Sequence, residues 1–104
     1  MAERSRTRTS STATRKQKAP AIGPGAAARG AAELLQSLIS HRAEGVSAVR
    51  RIEGGWCVEV EVLELARIPD TTSLLATYEV KLDEQGELLE YFRTRRYRRG
   101  SADE

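Results

Sequence analysis

The run Trp56-Cys57-Val58-Glu59-Val60-Glu61-Val62-Leu63-Glu64-Leu65 decides the fold. Trp56, Val58, Val60 and Val62 alternate with Cys57, Glu59 and Glu61, and an extended strand turns that period of two into one buried and one wet face. The phase shifts at Leu63, Glu64 and Leu65, which predicts a bulge or a change of partner near residue 63, because a one-residue slip exchanges the faces. Upstream, Val46 to Glu53 reads as a first strand and Gly54-Gly55 as a two-residue hairpin turn needing positive φ. Downstream, Ala66 to Thr72 reads as a loop in which Pro69 cannot donate a ladder hydrogen bond and Asp70 can cap a turn. A third strand follows from about Ser73 to Leu82, with Leu74, Ala76, Tyr78, Val80 and Leu82 on one face and Thr77, Glu79 and Lys81 on the other. Asp83-Glu84-Gln85-Gly86 is the next turn, Leu88 to Tyr97 the fourth strand, and Gly100 to Glu104 a short tail.

N-terminal to the strands, Ala27, Ala28, Ala31, Leu34, Leu35, Leu38 and Ile39 recur at spacings of three and four after the breakers Gly23, Pro24 and Gly25. That pattern predicts a helix ending near Ser40 or His41. Gly30 costs about 1 kcal/mol against Ala there, which suggests a thin, close-packed or frayed first half. One helix and then four strands on short connections predict an α+β fold, the helix packed on a four-stranded antiparallel meander. Residues 1–22 are mostly Ser, Thr, Ala, Arg and Lys with a lone Ile22 near the end, too little apolar surface to offset ordering entropy, and are expected to form a disordered basic tail. The folded part is then 23–100, with 101–104 as a C-terminal tail.

The 17 basic and 15 acidic residues leave a net +2, but they are segregated. Residues 1–22 hold six basic groups and one acid, residues 23–92 six and twelve, and residues 93–104 five and two. No apolar stretch approaches the ~18 residues that would span a bilayer. A single Cys57 rules out an intramolecular disulfide framework, and with a single His41 it leaves no zinc ligand set and no His–His pair, so no cofactor or metal is expected. An unpaired cysteine and the lack of an apolar export signal favour the cytoplasm.

Glu44-Gly45-Val46-Ser47-Ala48-Val49, Gly55-Trp56, Val58 to Leu65 and Arg67-Ile68-Pro69-Asp70-Thr71 together resemble the gas vesicle protein O family of actinobacteria. Leu75-Ala76-Thr77-Tyr78-Glu79-Val80, Leu82-Asp83-Glu84, Gly86-Glu87-Leu88 and the ending Tyr91 to Arg99 continue the resemblance, which covers roughly residues 31–100. It implies an accessory protein for making gas vesicles, the protein-walled flotation compartments of prokaryotes, with no enzymatic activity. Its implied partners are other gas vesicle proteins, shell or accessory, and its implied location is the cytoplasm, in the finished vesicle or apart from it.

Two segments are candidate partner-binding sites. Arg67, Ile68, Pro69 and Asp70 form either a connection fixed by its Pro and Asp or a contact loop on a rigid sheet. Arg93, Arg95, Arg96, Tyr97, Arg98 and Arg99 interleave arginine with an aromatic, a mixture that suits an acidic protein or, as the alternative function, a nucleic acid bound by basic arms. Strand alternation predicts Tyr91, Arg93, Arg95 and Tyr97 on one face and Phe92, Thr94 and Arg96 on the other. A third reading pairs the arginines with Glu59, Glu61 and Glu79 on neighbouring strands. Trp56 reads as a packing anchor, His41 as a cation at a helix C-terminus, and Glu59 with Glu61, about 7 Å apart on one face, as a solvated pair. Cys57 reads as a small filler, because nothing places His41 beside it to activate a nucleophile.

Overall fold

The computed structural model describes residues 20–101. The disorder expected for 1–22 thus falls, as far as residue 19, outside the described residues, as do 102–104 of the expected tail. Helix α1 spans Pro24–Ile39, and the strands are β1 (Arg42–Ile52), β2 (Gly55–Leu65), β3 (Leu74–Asp83) and β4 (Leu88–Arg98). They pair antiparallel in the order β1-β2-β3-β4. The fold is α+β, one helix on a four-stranded meander.

Pro24 opens α1 where the breakers predicted a later start, because the first helical position needs no N–H donor and proline presets its φ. Ala27, Ala31 and Leu35, one per turn, are buried against Trp56, Val58, Val60, Val62, Val80 and Leu82. The two alanines let the helix backbone lie low on the valine face. A Cβ at Gly30 would meet nothing within 4 Å, so this glycine borders open space and is not a close-packing device. Ser40 ends the helix in the left-handed region (φ 61°), its N–H donating to the Gln36 carbonyl. His41 lies beyond the last turn and is not a cation within it. Ile22 belongs to the folded body, since its N–H donates to the Glu84 carbonyl (2.9 Å) and its side chain packs against the core.

Three strand features differ from the alternation pattern. β1 starts at Arg42, four residues before the expected Val46, with the Ala43 N–H held by Gln36 Oε1 (2.8 Å). Its register shifts between Ala43 and Gly45 and between Val46 and Ala48 leave Glu44 and Ser47 as extra residues, which erases the period of two across 42–48. The hairpin turn is Glu53-Gly54, with Gly54 at φ 81°, and Gly55 is already paired with Ile52 in β2. Gly55 is glycine for space, because a Cβ there would sit 1.9 Å from the Leu82 carbonyl oxygen. In β4, Thr77 opposes Arg95 while Tyr78 opposes Arg93, so Thr94 is bulged and donates through Oγ1 to the Thr77 carbonyl (3.1 Å). The expected shift near residue 63 is present between Leu63 and Leu65.

Candidate interaction site

The bulge at Thr94 overturns the expected sharing of a face by Tyr91, Arg93, Arg95 and Tyr97. Directly opposed residues of an antiparallel pair share a face. Tyr91 and Arg93, opposite Val80 and Tyr78, lie on the side that carries α1, as do Arg96 and Arg98, opposite Ala76 and Leu74. Phe92, Arg95 and Tyr97, opposite Glu79, Thr77 and Leu75, lie on the open side. The arginine strand therefore presents two separate faces.

On the α1 side, Glu64 is the anchor. Arg96 Nε donates to its Oε1 (2.7 Å) and Arg93 Nη1 lies 3.4 Å from its Oε2, and the carboxylate side chain is only 9% exposed. Burial alone would raise the Glu64 pKa, but Arg96 and Arg93 outweigh it and hold the group below the ordinary carboxylate value. Glu44 is likewise lowered, first by its hydrogen bond from Arg99. Both pairings vanish on unfolding, so the folded state binds fewer protons in acid. The stabilisation is fully present above the unfolded carboxylate pKa and is lost as pH falls through the lower folded values. Urea melts across pH should show a constant midpoint near neutrality and a decline below about pH 4.5. Arg96→Gln should flatten that acid limb, and an unchanged limb would deny Glu64 this role.

On the open side the hub is Glu61, which is not the solvated carboxylate its spacing suggested. It accepts hydrogen bonds from Ser47 Oγ on β1 (2.8 Å), Thr77 Oγ1 on β3 (2.8 Å) and the Tyr97 hydroxyl on β4 (2.5 Å), so one β2 side chain ties all four strands. Burial, then Glu61 itself, pushes the Tyr97 hydroxyl up to about 12. Glu59 and Glu79 are matched by Arg50 of β1 (3.0 and 3.5 Å), not by the β4 arginines. Arg50 Nη2 also covers the buried Cys57 sulfur (3.1 Å), and burial, with Glu79 next, raises that thiol's pKa. Trp56 is the packing anchor expected, with Arg51 stacked on its ring.

The two candidate segments meet at one end of the sheet. Ser73, fully buried, accepts the Arg67 N–H at its hydroxyl (3.0 Å), donates to Asp70 Oδ1 (3.2 Å), and its carbonyl accepts the Arg99 N–H (2.9 Å). Arg99 grips both oxygens of Glu44 (2.9 Å each), and its Nε lies 2.9 Å from Asp70 Oδ2 as an ion pair. The ends of the edge strands β1 and β4 are thereby joined around a pocket of about 270 Å³ floored by Leu75 and Glu61. The loop that caps this end is fixed at its base and bare at its tip, where Ile68 is 99% exposed before a cis Pro69. Arg95, over the Tyr97 ring at 4.3 Å, and Arg98 make no carboxylate pair among the described residues. Sequence reasoning named the arginines and offered Glu61 as one of their partners, where the structure gives Glu61 to Ser47, Thr77 and Tyr97; it missed Glu44 and Glu64, whose only signal was the excess of acids in a strand-rich segment.

Among the described residues there is no cluster of three metal-ligating side chains, and no helix is long and apolar enough to cross a membrane. This geometry defines a class: a single-helix α+β meander whose coiled sheet is locked at one end by ion pairs between its edges. Residues 8–103 match the family described as Gas vesicle synthesis protein GvpO, and the chain belongs to that family. It is 59% identical over 75 residues to Gas vesicle protein O of a Streptomyces (strain CB03234), covering 72% of this chain and 59% of that protein. It is 38% identical over 74 residues to Gas vesicle protein O1 of Halobacterium salinarum, covering 71% of this chain and 62% of that protein. With Gas vesicle protein O of Haloferax mediterranei the identity is 35% over 75 residues, 71% of this chain and 54% of that protein. The chain thus spans less than two thirds of the length of these curated relatives. No solved structure matches it.

Proposed function

We propose that the chain serves gas vesicle formation as a non-enzymatic accessory in the cytoplasm, binding other vesicle proteins, shell or accessory, through the sheet end formed by Arg67, Ile68, Pro69, Asp70 and the β4 arginines. Family membership supplies the process, and the exposed Ile68 on a loop braced by Ser73 and Arg99 supplies the contact. Ile68 contributes no burial to the fold itself, so covering it against a partner would contribute about 1.5 to 3 kcal/mol to binding. Burial raises the Cys57 thiol's pKa although Arg50 opposes it, and Cys57 lies on the sheet face opposite His41, which supports the absence of nucleophilic chemistry. Nucleic acid is the weaker reading, because Arg96 and Arg99 already donate to Glu64 and Glu44 at 2.7 and 2.9 Å.

In cells that lack the endogenous chain, Ile68→Asp should strongly reduce the vesicle yield seen by electron microscopy while leaving the melting temperature unchanged, since Ile68 packs on nothing. Cys57→Ser and His41→Gln should restore full yield. Normal vesicles from Ile68→Asp would exclude the loop tip as a contact.

A further inference from the structure

α1 lies mainly over β1 and β2 and only grazes β4, which leaves a groove on the same face of the sheet. At one end Gly30, Glu33 and Leu34 face Glu87 and Leu88 across a hollow of about 480 Å³. At the other, Leu65, Leu74 and Tyr78 floor a hollow of about 410 Å³ rimmed by Glu64, Arg93 and Arg96. Between them stand Leu38, 46% exposed, and Tyr91, 37% exposed, the Tyr91 ring 6.5 Å from that of Tyr78. Leu34 and Leu88 at one end and Leu65, Leu74 and Tyr78 at the other give the groove apolar patches, and the ends differ in sign. Glu33 and Glu87 make one end acidic, whereas Arg93, Arg96 and Arg98 outnumber Glu64 at the other.

We propose that this groove seats an amphipathic α-helix of a partner protein, its acidic C-terminal turn against Arg93 and Arg98 and its N-terminus against Glu33 and Glu87. The proposal rests on the accessory reading above and names the chemistry of the partner. A groove running beside the 16-residue α1 is about 24 Å long, enough for four helical turns. An apolar stripe at spacings of three and four fills its floor. Both ends then favour one direction, because the positive pole of the helix dipole meets carboxylates and the negative pole, with its acidic side chains, meets guanidiniums. Ile22 packs beside Gly86 at the acidic end, but the chain's own first 19 residues carry six basic groups against one acid and no Leu, Ile, Val or aromatic residue to cover the floor. Among its described residues, a second copy offers a like-charged β4 or a helix already packed on its own sheet.

The test places the photo-crosslinking amino acid p-benzoylphenylalanine at Leu38 or Tyr91 in vesicle-forming cells and maps the adduct by mass spectrometry. The expected adduct is a partner segment with apolar residues at spacings of three and four and Asp or Glu at the end nearer the arginines. Its yield should fall about tenfold on Arg98→Glu, which turns attraction into repulsion. Gly30→Leu should lower it similarly, since that side chain enters open groove space and suits a helix, leaving the melting temperature no lower than before. Adducts to nucleic acid, to a second copy or to residues 1–19, no adduct at all, or an adduct insensitive to both variants would overturn the proposal. If p-benzoylphenylalanine at Ile68 captures a vesicle protein while Leu38 and Tyr91 capture nothing, the groove falls and the accessory reading stands; capture of no vesicle protein from any of the three removes both.

Discussion

Gly55→Ala is expected to open the sheet at its first hairpin. The added Cβ would sit 1.9 Å from the Leu82 carbonyl oxygen and 2.9 Å from both the Leu82 carbonyl carbon and the Asp83 Cα. All three are backbone atoms, so no side chain can swing aside. Relief requires β2 and β3 to separate where Gly55 faces Asp83 and Trp56 faces Leu82, and both Trp56 and Leu82 belong to the core. Overpacking of this kind costs about 3 kcal/mol or more. A domain this small holds on the order of 5 to 10 kcal/mol in all. The melting temperature should therefore drop by about 12 to 24 °C, if the variant folds at all. Gly54→Ala is the matched control: its cost comes from φ 81° alone, with nothing within 4 Å of the new methyl, and should be about 1 kcal/mol. Circular dichroism melts of the two variants decide the matter. A Gly55→Ala protein melting within a few degrees of the parent would mean that the two strands part more easily than their register implies.

These two glycines also mark where the sequence stopped being legible. Gly54-Gly55 announces a hairpin, but not which glycine turns and which makes room, because the second role depends on a β3 carbonyl nearly thirty residues away. β2 was readable because both its neighbours are strands and its faces alternate strictly from Trp56 to Val62. β1 and β4 are edges, where a bulge costs few hydrogen bonds, and the extra residues Glu44, Ser47 and Thr94 look like any other strand residues. Each bulge exchanges faces beyond it, so every assignment past Thr94 came out reversed. The candidate site suffered in the same way. Its arginines and its Ile68 loop were visible as unusual composition, whereas the arginines' partners Glu44 and Glu64 lie 29 to 55 residues away and are brought close only by the folding of the sheet.

The second large effect separates arginines that hold the fold from arginines left to bind something. Arg96→Gln with Arg99→Gln strips partners from Glu64, Glu44 and Asp70 at once. Leaving a carboxylate as enclosed as Glu64 with only the longer 3.4 Å contact to Arg93 costs about 1 to 3 kcal/mol, so this double variant should melt lower, and any vesicle defect would follow from instability. Arg95→Gln with Arg98→Gln removes two guanidiniums that face no carboxylate among the described residues, and the melting temperature should stay within a degree or two. Their planar donors suit carboxylates in two-bond contacts. Exposed pairs contribute only ~0.2 to 1 kcal/mol each, and Arg95 and Arg98 lie on opposite faces of β4, so the double variant weakens the contact on each face. Vesicle formation should be lost or strongly reduced in the Arg95/Arg98 variant despite its intact stability. Electron microscopy of complemented cells beside a thermal melt of each purified double variant reads both quantities. Full vesicle yield from the Arg95/Arg98 variant would reduce the β4 arginines to a stabilising role, with partner binding left to Ile68 and the rest of its loop.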